Sequence, residues 1–177
     1  MNWIIRKAQT MDDVESVSDI YDLIHRQEEA GIVSIGWKRG VYPVLQTALQ
    51  ALVNDTLFVM CIKDRVVASA IINQHQPEGY STANWQYTAD ENKVGVLHTL
   101  VVHPDFLRQG LGKDFVAFFE AYCRGLGWDV VRLDTQVKNN RPFNLYPKLG
   151  YRLAGIKEVP FQGLTEMVEL AMFEKRL

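Results

Sequence analysis

The stretch of this chain best equipped for chemistry is Val94 to Gly112, VGVLHTLVVHPDFLRQGLG. An apolar run with strand character carries the chain to a polar turn. Gly110 and Gly112 then open the backbone immediately before a helical pattern. A helix start presents free N–H groups and a partial positive charge, and glycine lets a ligand approach the backbone closely. Leu107, Arg108, Gln109, Gly110, Leu111, Gly112 and Lys113 therefore form a candidate anion site suited to a pyrophosphate, with a cation at each flank. The spacing excludes a P-loop, which needs Gly at Leu107 and Ser or Thr at Asp114. It excludes a dinucleotide fingerprint, whose third glycine would fall at Phe115. His98, inside the same apolar run, is either a proton carrier or a hydrogen-bonded core residue.

The surrounding pattern supplies elements to hold this turn. A strand is expected over 3–8, then a helix from Met11 to Ala30, capped by Thr10 with Asp13 three residues on and stopped by Gly31. GIVSIGWKRG (31–40) reads as an irregular loop, a candidate lid carrying Trp37. A second helix is expected from Pro43 to Asn54, and TLFVMCI, Lys63-Asp64 and RVVASAIIN read as a hairpin. Residues 75–92 form a polar excursion with room for an extra strand. Strand 94–102, helix 110–126, strand 128–135, a short helix 141–149, and strands 151–159 and 165–173 complete the chain. The expectation is one domain over 1–177.

The turn resembles the acetyl-CoA-binding motif of the GNAT N-acetyltransferase superfamily, a strand ending L-x-V-x-P followed by [QR]-x-x-G-x-[GA]. Leu100, Val102, Pro104, Gly110 and Gly112 match, whereas Leu107 stands where Gln or Arg is usual. NNRPFNLYPKLGY is similar to the family's second segment at Asn139, Leu145, Tyr146, Lys148, Gly150 and Tyr151, with Pro142 replacing a small residue. The resemblance implies a mixed, mostly antiparallel sheet of about seven strands flanked by about four helices. It implies acetyl-CoA held by Leu100, Val101, Val102, the 107–113 turn, Asn139 and Tyr146, with pantetheine inserted where the strand of Leu100 to Val102 splays from that of Asp134. Tyr146 takes the general-acid position, and His98 or Asp134 that of the base. Trp37, Tyr42 and Trp85 are candidates to line an acceptor pocket. Lys38 and Arg39 suggest an acceptor amine that also carries an anionic group.

Composition bounds the rest. The 177 residues suit one domain, and 47% hydrophobic with 23% charged residues exclude a natively unfolded chain. A net charge of −2 and a pI near 6.1 leave no electrostatic footprint for nucleic acid or anionic lipid. Two isolated cysteines, no export signal and no long apolar run point to a soluble cytoplasmic protein. Histidine spacing offers no metal site. The expected partner is a small-molecule amine, with a homodimer open as assembly state. A non-catalytic acyl-CoA-binding or regulatory module on the same fold is the alternative, favoured by Leu107 and Pro142 and opposed by Tyr146. A purely structural domain predicts no effect of CoA on stability.

Overall fold

The computed structural model describes residues 2–161 and 166–177. Seven strands form one sheet of order β1-β2-β3-β4-β5-β7-β6, with β4 and β5 parallel and the other registered pairs antiparallel. The strands are β1 (Ile4–Lys7), β2 (Leu57–Ile62), β3 (Arg65–Asn73), β4 (Val94–Val102), β5 (Val130–Gln136), β6 (Arg152–Pro160) and β7 (Met167–Arg176). Four α-helices join them: α1 (Met11–Glu29), α2 (Leu45–Val53), α3 (Leu111–Gly125) and α4 (Asn140–Leu145). This is the expected mixed architecture. The strand expected from Thr165 begins at Met167, and Thr165 itself lies outside the described residues.

The chain divides into two compact units. The first comprises Met1–Val33, Trp37–Ile72 and His98–Phe118. Its α1 starts as the sequence dictates: Thr10 accepts from the Asp13 N–H, and the Asp13 carboxylate accepts from the Gln9 and Thr10 N–H groups. Arg6 adds a two-pronged ion pair to Asp13 at 2.8 and 2.9 Å, and this guanidinium holds the Asp13 carboxyl below its usual range. Val14, Val17, Ile20, Tyr21 and Ile24 make the buried stripe. Pro43 is not the first residue of α2. It follows a cis Tyr42–Pro43 bond, and Val44 is the N-cap, its N–H donating to the Thr47 hydroxyl at 3.1 Å.

The second unit comprises Ser34–Gly36, Asn73–Leu97 and Phe119–Leu177. Its core gathers Tyr80, Val94, Val96, Val130 and Met172. The 75–92 excursion contains two single 3₁₀ turns, Glu78–Thr82 and Glu91–Lys93, and no strand among the described residues. Polar anchors replace the strand ladder there. The fully buried Glu174 carboxylate accepts from the Gln86 and Tyr87 N–H groups at 2.7 and 3.2 Å and from Arg152 at 2.7 Å. Arg132 lies 4.1 Å from the centroid of the Trp85 ring and donates to the Tyr87 carbonyl. A buried carboxylate with three charge-assisted or amide donors is satisfied, so the irregular backbone is held without a ladder.

Candidate active site

In the first unit, β4 delivers the chain to the glycine turn. His103 ends the strand by donating its backbone N–H to the Val67 carbonyl on β3, and a 3₁₀ turn (Pro104–Phe106) follows. Arg108 (φ +63°) and Gly110 (φ +86°) both lie in the left-handed region and turn the backbone into α3. No atom comes within 4 Å of the position a Cβ on Gly110 would occupy, so open space faces this backbone. Gly112 differs: a Cβ there would meet Val102 at 3.9 Å, an ordinary contact. The open backbone is thus at Gly110, while a methyl group at Gly112 would make only an ordinary contact. Arg108, Gln109, Gly110 and Lys113 are exposed, Leu107 and Gly112 half-buried and Leu111 buried. Leu100 and Val102 are half-buried and Val101 buried on β4.

The pleat of β4 breaks at Thr99, whose φ is +51°. For a β-branched residue this is an outlier, and period-two alternation does not carry through it. Regular alternation therefore does not by itself put His98 on the face of Leu100 and Val102. His98 is half-buried, and the Thr99 hydroxyl shares a hydrogen bond with the Tyr42 phenol. Tyr42 packs edge-on to Trp37, with centroids 6.1 Å apart, and Trp37 in turn lies 6.4 Å from the His25 ring. Trp37 and Tyr42 thus occur together. Arg39 is ion-paired at the surface: Glu29 accepts from it at 2.8 Å and Asp22 lies at 3.5 Å. The candidate lid is tied at its middle too, because within the second unit Gln136 donates to the Gly36 carbonyl at 2.9 Å.

In the second unit, Asp134 sits on β5 opposite Met172 of β7. The Tyr80 hydroxyl donates to its carboxylate at 2.9 Å. Burial pushes the Asp134 carboxyl up to about 6, although the Tyr80 hydrogen bond pulls it back down. Tyr146 ends α4, buried between Tyr151 at 5.8 Å and Phe173 at 5.5 Å. Desolvation, reinforced by the Asp134 charge, raises its phenol above the ordinary value of 10. It stays protonated at neutral pH. Asn139 is half-buried at the N-cap of α4 and makes no side-chain capping bond. Trp85 belongs to this unit, its indole N–H donating to the Tyr80 carbonyl at 2.7 Å and its ring 5.3 Å from the Tyr80 ring. It packs under Tyr80.

Tyr80, through its hydrogen bond to Asp134, joins the candidate residues, and sequence reasoning did not single it out. Its only signal was an aromatic inside a polar excursion, and its partner is 54 residues away. Among the described residues no group of three or more His, Cys, Asp and Glu side chains gathers to hold a metal ion, and no helix is long and apolar enough to cross a membrane.

A family model for the acetyltransferase (GNAT) family matches residues 17–151. The chain belongs to the GNAT acetyltransferase family. No protein of curated function matches it. Among solved structures it is similar to a GNAT-family acetyltransferase of Streptococcus agalactiae 2603, with 21% identity, a TM-score of 0.78, and 99% of this chain and 95% of that one covered. A GNAT-family acetyltransferase of Listeria monocytogenes 4b F2365 matches at 18% identity and TM-score 0.74, covering 99% and 95%. The structure of yncA from Salmonella typhimurium with its cofactor acetyl-CoA matches at 16% identity and TM-score 0.67, covering 100% and 95%. At these identities the likeness shows a common fold. Acetyl transfer follows from membership of the family.

Proposed function

We infer that this GNAT acetyltransferase moves acetyl from acetyl-CoA to the primary amine of a small molecule in the cytoplasm, with no nucleic-acid or membrane partner. The observation that carries the reading is the turn into α3: Gly110 in a left-handed conformation, open space in front of it, and Arg108 and Lys113 on either side. Backbone N–H groups of residues 110–113 suit the CoA diphosphate, so Leu107 in place of Gln or Arg weakens only a side-chain contribution. Acetyl-CoA supplies the thioester.

The protein's own groups handle protons. An amine of lysine-like pKa is protonated at neutral pH and must lose a proton before attack. Asp134, raised to about 6, is largely ionised at neutral pH and far more basic than an ordinary aspartate; His98 is the competing base. Tyr146 remains a phenol and donates a hydrogen bond to the departing sulfur. Because its pKa lies above that of a thiol, stabilising the thiolate costs less than protonating it outright. Tetrahedral charge developing at the carbonyl is the term that preorganised N–H donors lower, typically by a few kcal/mol. The test is thermal melting with CoA, then release of free thiol from acetyl-CoA across a broad amine screen. A rise in Tm with CoA and amine-dependent thiol release are expected. Unchanged melting at saturating CoA would overturn the cofactor assignment.

A further inference from the structure

The Asp114 N–H donates to the Gly110 carbonyl at 3.0 Å, which closes the first turn of α3. Gly110 therefore caps the helix, and Asp114 stands one turn further on along the same face. Helical side chains lean toward the N-terminus, so a carboxylate at 114 tends toward the end where the N–H groups of residues 110–113 would meet the CoA diphosphate. Asp114 is the acidic residue of that first turn. A negative charge there is drawn to the positive end of the helix dipole and repels a diphosphate bound at the same end.

What this carboxylate meets is an indole of the same compact unit. Trp3, immediately before β1, donates its Nε1–H to Asp114 Oδ2 at 3.0 Å across 111 residues of sequence. Trp3 is 38% exposed and its neighbour Ile4 60%, so the hydrogen bond is not a by-product of burying the start of an edge strand. An indole N–H can only donate, which suits it to hold a carboxylate oxygen. The bond ties the Asp114 charge to the start of β1.

We propose that Trp3 is a positioning residue of the cofactor site: its indole tethers the Asp114 carboxylate and keeps that charge from the N-terminus of α3, leaving the N–H groups at Gly110 to a diphosphate. The inference rests on the reading of the turn at 107–113 as the CoA diphosphate site. Trp3 touches no ligand in it and acts only through Asp114.

A double-mutant cycle tests this, with CoA titrated calorimetrically into the wild type, Trp3→Phe, Asp114→Asn and the double variant. Trp3→Phe keeps an aromatic ring and removes the N–H, which frees the carboxylate. Asp114→Asn keeps an oxygen for the indole and removes the charge. Trp3→Phe should weaken CoA binding about threefold to tenfold, the scale of a unit charge brought several ångströms nearer a diphosphate at a protein surface. Asp114→Asn should tighten binding, and in its background Trp3→Phe should change the affinity by less than about twofold. The loss in Trp3→Phe should also fade as the Debye length falls from about 30 Å at 0.01 M salt to about 3 Å at 1 M. A merely structural role for Trp3 would lower the affinity equally in both backgrounds and at every salt concentration. Such an equal loss, an unchanged affinity in Trp3→Phe, or weaker binding by Asp114→Asn overturns the proposal while wild-type CoA binding stands. A wild type that does not bind CoA overturns the cofactor reading itself, and the proposal with it.

Discussion

At Asp134 two forces oppose each other, since burial raises the carboxyl to about 6 and the Tyr80 hydroxyl, 2.9 Å away, lowers it. Tyr80→Phe removes the lowering contribution, so the acidic limb of the kcat/KM profile should move to higher pH, while Asp134→Asn should abolish that limb along with most of the activity. A limb that survives in Asp134→Asn and disappears in His98→Ala would transfer the base to His98. Tyr146→Phe should lower kcat roughly tenfold to ten-thousandfold with CoA affinity nearly intact, read from steady-state kinetics and CoA melting shifts. Asp134 and Tyr146 could be singled out as candidates in the sequence, Tyr146 by its place in a motif and Asp134 by its place at the end of a strand pattern. Tyr80 could not, because a hydrogen bond across 54 residues has no local pattern, and neither could the left-handed Thr99, a residue type that ordinarily favours regular strand.

Among the elements, the turn between β4 and α3 makes a paired prediction. Gly110→Val places a side chain in the open space before the helix and forces a β-branched residue to φ +86°, so the CoA-dependent rise in Tm should disappear. Gly112→Ala should keep it, because its methyl would only touch Val102 at 3.9 Å. Equal loss in both variants would mean that the backbone approach is not centred on Gly110. At the start of α1, Asp13→Asn keeps an oxygen acceptor for the Thr10 N–H but loses the charge facing Arg6, and should cost about 1–2 kcal/mol in urea denaturation. That cap was legible as Thr10 with Asp13 three residues on, and α1 begins where it dictates. The elements that escaped lack such local chemistry. The 75–92 segment is held by Glu174, Arg152 and Arg132 from distant strands, and Pro43 precedes α2 through a cis bond that no spacing rule announces.

For the whole molecule, the same burial that raises the Asp134 carboxyl makes it a burden on stability. Its folded pKa, about 6, lies above the unfolded value of 3.8, so folding favours the protonated form. Below about pH 3.8 the carboxyl is protonated in both states and exerts no pull. As pH rises toward 6, the unfolded chain releases its proton first and the native state loses ground. Above 6 the full penalty stands, about 3 kcal/mol. Asp13 has the opposite sign, its depressed pKa giving stability above its ordinary range that is lost as pH falls through the folded value. Asp134→Asn, which keeps an oxygen for Tyr80 to donate to, should therefore raise Tm at pH 7.5 while reducing turnover, and the gain should shrink steadily toward pH 4. Urea denaturation of both proteins across this range measures it. A gain that does not vary with pH would mean that the substitution acts through packing and not through the buried charge. A loss of stability at pH 7.5 would mean that the carboxylate is better satisfied than its surroundings imply, and would remove the reason for treating it as a base poised near neutrality.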